Sequence, residues 1–239
     1  MAIRLQPRDI DILGVPARHH FVTNEVLQRF FPHQTEEARK STLKRLRRKD
    51  QPYLQQAKLY ACGNEVYYFL TAAGAKYIGA PESLTKPVDN DDIRGRLLGQ
   101  LLYCYLGPVV RLKFTTAEFA KAFPGVLVEG SDLAKRFDYG GYHLDVDEAG
   151  DRRLGRMLVQ SGGSDLLVRA KEFVRQDERE LERFVVEGRY TLALITASEA
   201  KAAQLRQQVA LRPLGDIRPV RVVVEAYEQL QGLLTAGSK

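Results

Sequence analysis

A chain of 239 residues with 44% hydrophobic and 28% charged side chains can bury a proper core and is long enough for one large or two modest domains. No apolar run approaches the roughly eighteen residues of a membrane span, and "MAIRLQPRDI" lacks the basic-then-apolar order of a signal peptide, so we expect a cytoplasmic protein with no membrane partner. The net charge of +6 lies wholly in the first third, because residues 1–80 hold 13 basic and 7 acidic side chains while residues 81–239 hold 23 of each. A basic module that meets an anion, joined to a neutral module with another task, is the simplest organisation consistent with that split.

In chain order, "QPRDIDILGVPARHH" predicts a short helix that starts near Pro7 and is interrupted at Pro16. Thr23 can cap a second helix whose buried face is Val26, Leu27, Phe30 and Phe31, with Pro32 as its stop. The third is the most basic stretch of the chain: "EEARKSTLKRLRRKD", Glu36 to Asp50, places seven Lys or Arg residues in fifteen positions. Thr35 is its candidate N-cap, and Glu36 and Glu37 suit the positive end of the helix dipole. At about 100° per residue, Ala38, Thr42 and Leu46 fall on one side, flanked by Leu43. Lys40, Lys44, Arg47 and Arg48 fall on the other, with Ser41 among them.

Residues Tyr53–Ala61 and Glu65–Leu70 then read as a β-hairpin around Gly63-Asn64, closed by a helix from Thr71 to about Ile78 with Gly79 and Pro81 as its stop. Three helices followed by a hairpin is the order of a winged helix-turn-helix, and the basic helix holds the recognition position. We therefore expect a DNA-binding domain over residues 1–80 and a linker over 81–90, where "APESLTKPVDNDD" combines prolines with acidic residues.

The remainder, 91–239, opens with the apolar helix "IRGRLLGQLLYCYL" and a shorter helix capped by Thr115 or Thr116. Two strands follow, Tyr142–Val146 and Arg156–Gln160, then a long amphipathic helix from about Ser164 to Glu187. The strand "YTLALITA", the Ser-capped helix "SEAKAAQLRQQVA", the strand "RPVRVVVEA" and a terminal helix complete an α/β pattern. The fold class expected for the whole chain is α+β.

The run "LQPRDIDILGVPARHHFVTNEVLQRFFPHQTEEARKSTLKRLRR" followed by "EVYYFLTAAGAKYIG", residues 5–79, resembles the replication-relaxation family of plasmid and mobile-element proteins. That resemblance implies an accessory protein that binds double-stranded DNA at an origin, in replication control, relaxation or mobilisation. A homodimer, or a relaxase or replication protein as partner, is compatible with it. A transcription regulator of similar winged-helix form is the alternative.

The later half of such proteins looks similar to a degenerate restriction-endonuclease-like core. A working core of that kind needs an acidic residue on one strand and Glu-x-Lys or Asp-x-Lys on the next, to hold Mg²⁺ and support the attacking water. Asp145 and Asp147 supply the first element, but Met157, Val159 and Gln160 offer neither carboxylate nor lysine on the second. A non-catalytic domain is therefore expected, with a metal-dependent nuclease using Asp145 as the opposing reading.

Within the DNA-binding reading, Thr35, Glu37, Lys40 and Ser41 are expected to reach base edges. Lys44, Arg45, Arg47, Arg48 and Lys49 are expected to meet phosphates, together with Arg39 in the same stretch. Lys58 and Asn64 are candidate hairpin contacts. No metal or cofactor is expected: Cys62 and Cys104 form no CxxC pair, and His19-His20 is the one local histidine pair, its members pointing about 100° apart. Glu148 and Asp151 read as a charged surface turn beside Asp145 and Asp147, and the acids of "RQDERELERF" as a solvated helix face. His143 and Ser164 do not sit in a GxSxG elbow, which disfavours nucleophilic catalysis.

Overall fold

The computed structural model describes residues 5–50, 52–59, 65–107, 109–127, 133, 140–146, 150, 152–160 and 165–236. It is a mixed α+β structure with two sheets. Among the described residues no helix is long and apolar enough to cross a membrane.

The first helix, α1 (Pro7–His19), starts on a proline whose missing N–H needs no partner there. It runs through Pro16, where an interruption was expected. Proline there deletes one hydrogen bond close to the helix end, and the last turn still closes by the His20 N–H on the Pro16 carbonyl at 2.9 Å. After β1 (Val22–Thr23) come α2 (Asn24–Phe30) and α3 (Glu36–Leu46), then β2 (Leu54–Leu59), β3 (Glu65–Leu70) and α4 (Ala72–Ile78). The three strands form an antiparallel sheet in the order β1-β3-β2, with Val22 opposite Tyr68 and Leu54 opposite Leu70. The turn between β2 and β3, including Gly63 and Asn64, lies outside the described residues. Thr71 caps α4 through the Gly74 N–H at 3.0 Å, and Gly79 ends it in the left-handed region at φ 70°.

A 3-10 turn (Glu82–Thr85) leads to α5 (Asp91–Tyr105), β4 (Leu112–Lys113), α6 (Thr116–Ala122), β5 (Tyr142–Val146) and β6 (Arg152–Val159). Then follow α7 (Leu166–Glu180), α8 (Glu182–Val186), β7 (Tyr190–Thr196), α9 (Glu199–Leu211) and β8 (Arg221–Ala226). A second 3-10 turn (Glu228–Leu230) and α10 (Gln231–Ala236) are the last of the described elements. The five strands lie in the order β4-β5-β6-β7-β8, antiparallel as far as β6 and parallel from β6 to β8. The single long helix expected up to Glu187 breaks at Leu181, whose φ of −128° is not helical.

Helix α5 is apolar on nearly every side because it is covered on nearly every side. Leu98, Leu101, Leu102, Tyr103 and Cys104 are all buried. Tyr105 meets the rings of His19 and Phe30 from the first module at 5.4 and 5.6 Å. Toward the sheet, Cys104 Sγ lies 3.8 Å from Met157 Sδ, and a Cβ on Gly99 would stand 2.6 Å from Val159. One apolar cluster thus runs from Leu13 and Leu27 through α5 to Ile195 and Leu233. The 81–90 stretch contributes buried Val88 and the Lys86 carbonyl, 3.1 Å from His20 Nε2. A second cluster fills the opposite face of the sheet beneath α7 and α9, around Phe119, Leu154, Phe184 and Leu205.

Two histidines are enclosed in this interior. His19 and His143 are fully buried, and neither ring nitrogen of either has a hydrogen-bond partner among the described residues. Burial first, then nearby Lys113 and Arg18, holds His19 well below its ordinary value, and burial followed by Arg111 pushes His143 down to about 3. A depressed folded pKa means the stability from neutral burial is complete above the unfolded value near 6.5 and is lost as the pH falls. Both histidines should therefore lower stability between pH 7 and pH 5, His143 by about 2 kcal/mol. Urea midpoints at the two pH values check this, and equal midpoints would contradict it.

Candidate nucleic-acid interface

The third helix is fixed at its start by side chains. Thr35 Oγ1 accepts the Ala38 N–H at 3.2 Å, and Glu36 and Glu37 occupy the first turn. Thr42, Leu43 and Leu46 are buried, and the Thr42 hydroxyl donates to the Ala38 carbonyl at 3.0 Å. Glu37, Lys40, Ser41, Lys44, Arg48 and Lys49 are exposed. Glu37, Ser41 and Lys44 follow one another at three- or four-residue spacing and so form a single stripe along the helix, and Arg48 and Lys49 lie just past its end at Leu46.

The remaining cations of the stretch have other contacts. Arg45 turns inward and forms an ion pair with Asp9 of α1, a fully buried carboxylate that also accepts the Gln6 N–H at 2.7 Å. Its place is the α1–α3 contact, because a buried carboxylate needs a paired countercharge. Arg39 donates to the Gln34 carbonyl at 2.5 Å, closing the turn before the helix. Arg47 lies over the Tyr68 ring of β3, 5.6 Å from its centroid, which links the helix to the hairpin.

Lys40 is paired with Glu36 at 2.6 Å, and this neighbour raises the Lys40 pKa and lowers that of Glu36. Arg48 reaches Asp50 at 3.4 Å. Lys44 and Lys49 have no carboxylate partner among the described residues. Lys58 is exposed on β2, beside a hollow of about 410 Å³ that it lines with Gln56, Tyr67 and Arg94. Asn64 lies outside the described residues.

A groove of about 340 Å³ opens between α2 and α3, lined by Asn24, Gln28, Glu36, Arg39, Lys40 and Tyr68 among others. Asn24 and Gln28 are exposed one turn apart on α2, and their amides are donor–acceptor groups of the kind that reads adenine edges. Sequence alone puts the base-reading candidates on or beside α3 and does not single out these two amides. The signal for these two was a pair of amides at i,i+4 spacing, opposite the buried Val26 and Leu27.

In the larger sheet, Asp145 sits at the end of β5 with 9% exposure. Its partner is Arg111, whose Nε lies 3.8 Å from the carboxylate. The same guanidinium reaches Glu225 at 3.3 Å and the Tyr103 carbonyl at 3.1 Å, and stacks 4.0 Å over the Tyr103 ring. Gly107 permits this approach, since a Cβ there would stand 2.5 Å from Arg111 Nη1. Asp147, Glu148, Asp151 and Ser164 lie outside the described residues. Among those described, no group of three His, Cys, Asp or Glu side chains is placed to hold a metal ion.

On the opposite face of the sheet, two acids expected in solvent are buried. Asp177 is completely enclosed, accepting from Arg156 at 2.8 Å and from the hydroxyls of Tyr142, at 2.9 Å, and Tyr190. Glu178 accepts the N–H groups of Asp216 and Ile217 at 2.7 and 3.0 Å, tying the loop before β8 to α7. Their partners come from other elements, so spacing within "RQDERELERF" could not disclose them.

No family model, no curated protein and no solved structure matches the chain.

Proposed function

We propose that the protein is a sequence-specific double-stranded DNA-binding protein. Residues 5–79 act as a winged helix-turn-helix, with α3 as the recognition helix and β2–β3 as the wing. One observation carries this reading: the outward stripe of Glu37, Ser41 and Lys44 on the face of α3 opposite Leu43 and Leu46, with Lys40 beside it and Arg48 and Lys49 just past the helix end. Cations at the later positions are suited to phosphates, while Thr35, Glu37, Lys40 and Ser41 near the helix start, with Asn24 and Gln28 across the groove, are suited to base edges. Arg45 has no part in this contact, because its charge is committed to Asp9.

The larger sheet is consistent with a restriction-endonuclease-like core that has no catalytic role. The sequence of strands and helices fits that core, with β4 to β6 antiparallel and β6 to β8 parallel, and Arg111 stands beside Asp145 where a working core would hold Mg²⁺. That pairing disfavours the nuclease reading and leaves protein contacts, dimerisation or DNA support for this part of the chain.

The resemblance to replication-relaxation proteins favours action at a plasmid or mobile-element origin, with a promoter-bound regulator as the second reading. Sequencing DNA recovered from crosslinked cells separates them. Enrichment at a replication or transfer origin is expected, enrichment at promoters selects the regulator, and no discrete enrichment would contradict DNA-site recognition altogether.

A further inference from the structure

Although residues 81–239 are neutral in sum, their charges are segregated. The N-terminal ends of three adjacent parallel strands gather arginines that are remote in sequence. Arg152 opens β6, Arg189 immediately precedes β7 and Arg221 opens β8, where Leu154 pairs with Tyr190 and Thr191 with Arg221. Arg153, Arg183 and Arg218 join them around the turn at Gly188. Arg153 donates to the Gly188 carbonyl at 2.7 Å, Arg189 to the Arg152 carbonyl at 3.1 Å, and Arg218 to the Val186 carbonyl at 2.9 Å.

These bonds hold guanidinium groups in place without cancelling their charge, since a carbonyl is neutral and each guanidinium has five N–H donors. Among the described residues, the carboxylate bonded to this group is Glu187, shared by Arg183 at 2.9 Å and Arg189 at 3.0 Å. Arg152, Arg218 and Arg221 have no carboxylate partner among the described residues, and all three are exposed. Securing the turn accounts for Arg153, Arg189 and Arg218, and Arg183 pairs with Glu187, which leaves Arg152 and Arg221 without a structural reason.

We infer that this row is a second phosphate-binding surface, occupied by the backbone of a nucleic acid. Neighbouring strands are about 4.8 Å apart, so the three strand starts spread their cations over about 10 Å, a length that spans several charges of a strand carrying one phosphate per about 3.4 Å. Planar guanidinium forks match phosphate oxygens two at a time. Two exposed aliphatic residues, Val186 and Ile217, flank the row, too few for the apolar centre of a protein interface.

The surface is distinct from the α3 stripe. The segment that leaves the far end of β8 touches α2, where Gln229 meets Glu25 at 2.9 Å, whereas Arg221 stands at the start of that six-residue strand, about 20 Å away. A long or bent duplex, or a second segment, would engage it. The inference rests on the DNA-binding reading for its ligand.

The test uses the full chain carrying Arg152→Gln, Arg218→Gln and Arg221→Gln, with binding to a long duplex measured across salt concentrations. The plot of log affinity against log salt should flatten by about two to three relative to wild type. Should the triple variant melt early, Arg183→Gln with Arg221→Gln removes two exposed charges that make no backbone bond, and a flattening of about one to two is expected. Unchanged slopes in a folded variant overturn the inference and leave the α3 reading intact. Loss of slope here, with none when the α3 cations are removed, supports this surface and overturns α3 instead.

Discussion

Asp177→Ala is expected to destabilise the fold by about 3–5 kcal/mol. The carboxylate is fully buried and is the shared acceptor for Arg156, Tyr142 and Tyr190. Removing it leaves the Arg156 guanidinium, 3% exposed and pressed 3.8 Å over the Phe173 ring, as an uncompensated interior charge. It also strands two phenol groups. The cost arises from the partners left behind, so Arg156→Met combined with Asp177→Leu should recover most of the loss. Urea unfolding of the three proteins measures both values. A single variant within about 1 kcal/mol of wild type would show that the network is not a stability determinant.

Arg111→Ala is expected to cost about 3 kcal/mol, by the same logic on the other face of the sheet. Arg111 is the countercharge for Asp145 and Glu225 and bonds the last turn of α5 through the Tyr103 carbonyl, at the negative end of the helix dipole. Without it two carboxylates face one another across the space the guanidinium filled. That arrangement predicts a specific rescue: millimolar Mn²⁺ should raise the melting temperature of Arg111→Ala more than that of wild type, because a divalent cation can replace the lost charge. Equal shifts in both proteins would mean that the two carboxylates do not converge.

Much of the fold could be read from local sequence because local rules govern it. Thr23, Thr35 and Ser198 cap helices as their positions suggest, Gly79 adopts the left-handed conformation at a helix end, and Glu65–Leu70 is the strand expected. What escaped was set by contacts between distant residues. Asp9 and Arg45 are 36 positions apart, and only their meeting shows that one cation of the basic stretch belongs to the interior. Asp177 sits four residues before Leu181 and three after Val174, at core spacing, yet an acid at such a position is unintelligible until Arg156 arrives from β6. The arginines around Gly188 escaped for the same reason, since summing charge along the chain cannot register strands that start side by side.

The central claim, that the outward face of α3 and the cations just past its end bind duplex DNA, is tested most directly by salt-titrated binding of wild type and a variant with Lys40, Lys44, Arg48 and Lys49 replaced by alanine. The log–log salt slope should fall by about three to four, with at least about a hundredfold loss of affinity near physiological salt. Arg45→Ala is the internal control: it should lower stability by exposing the need of buried Asp9 for a partner, while leaving the slope unchanged. Equal slopes and affinities for wild type and the fourfold variant would contradict the account.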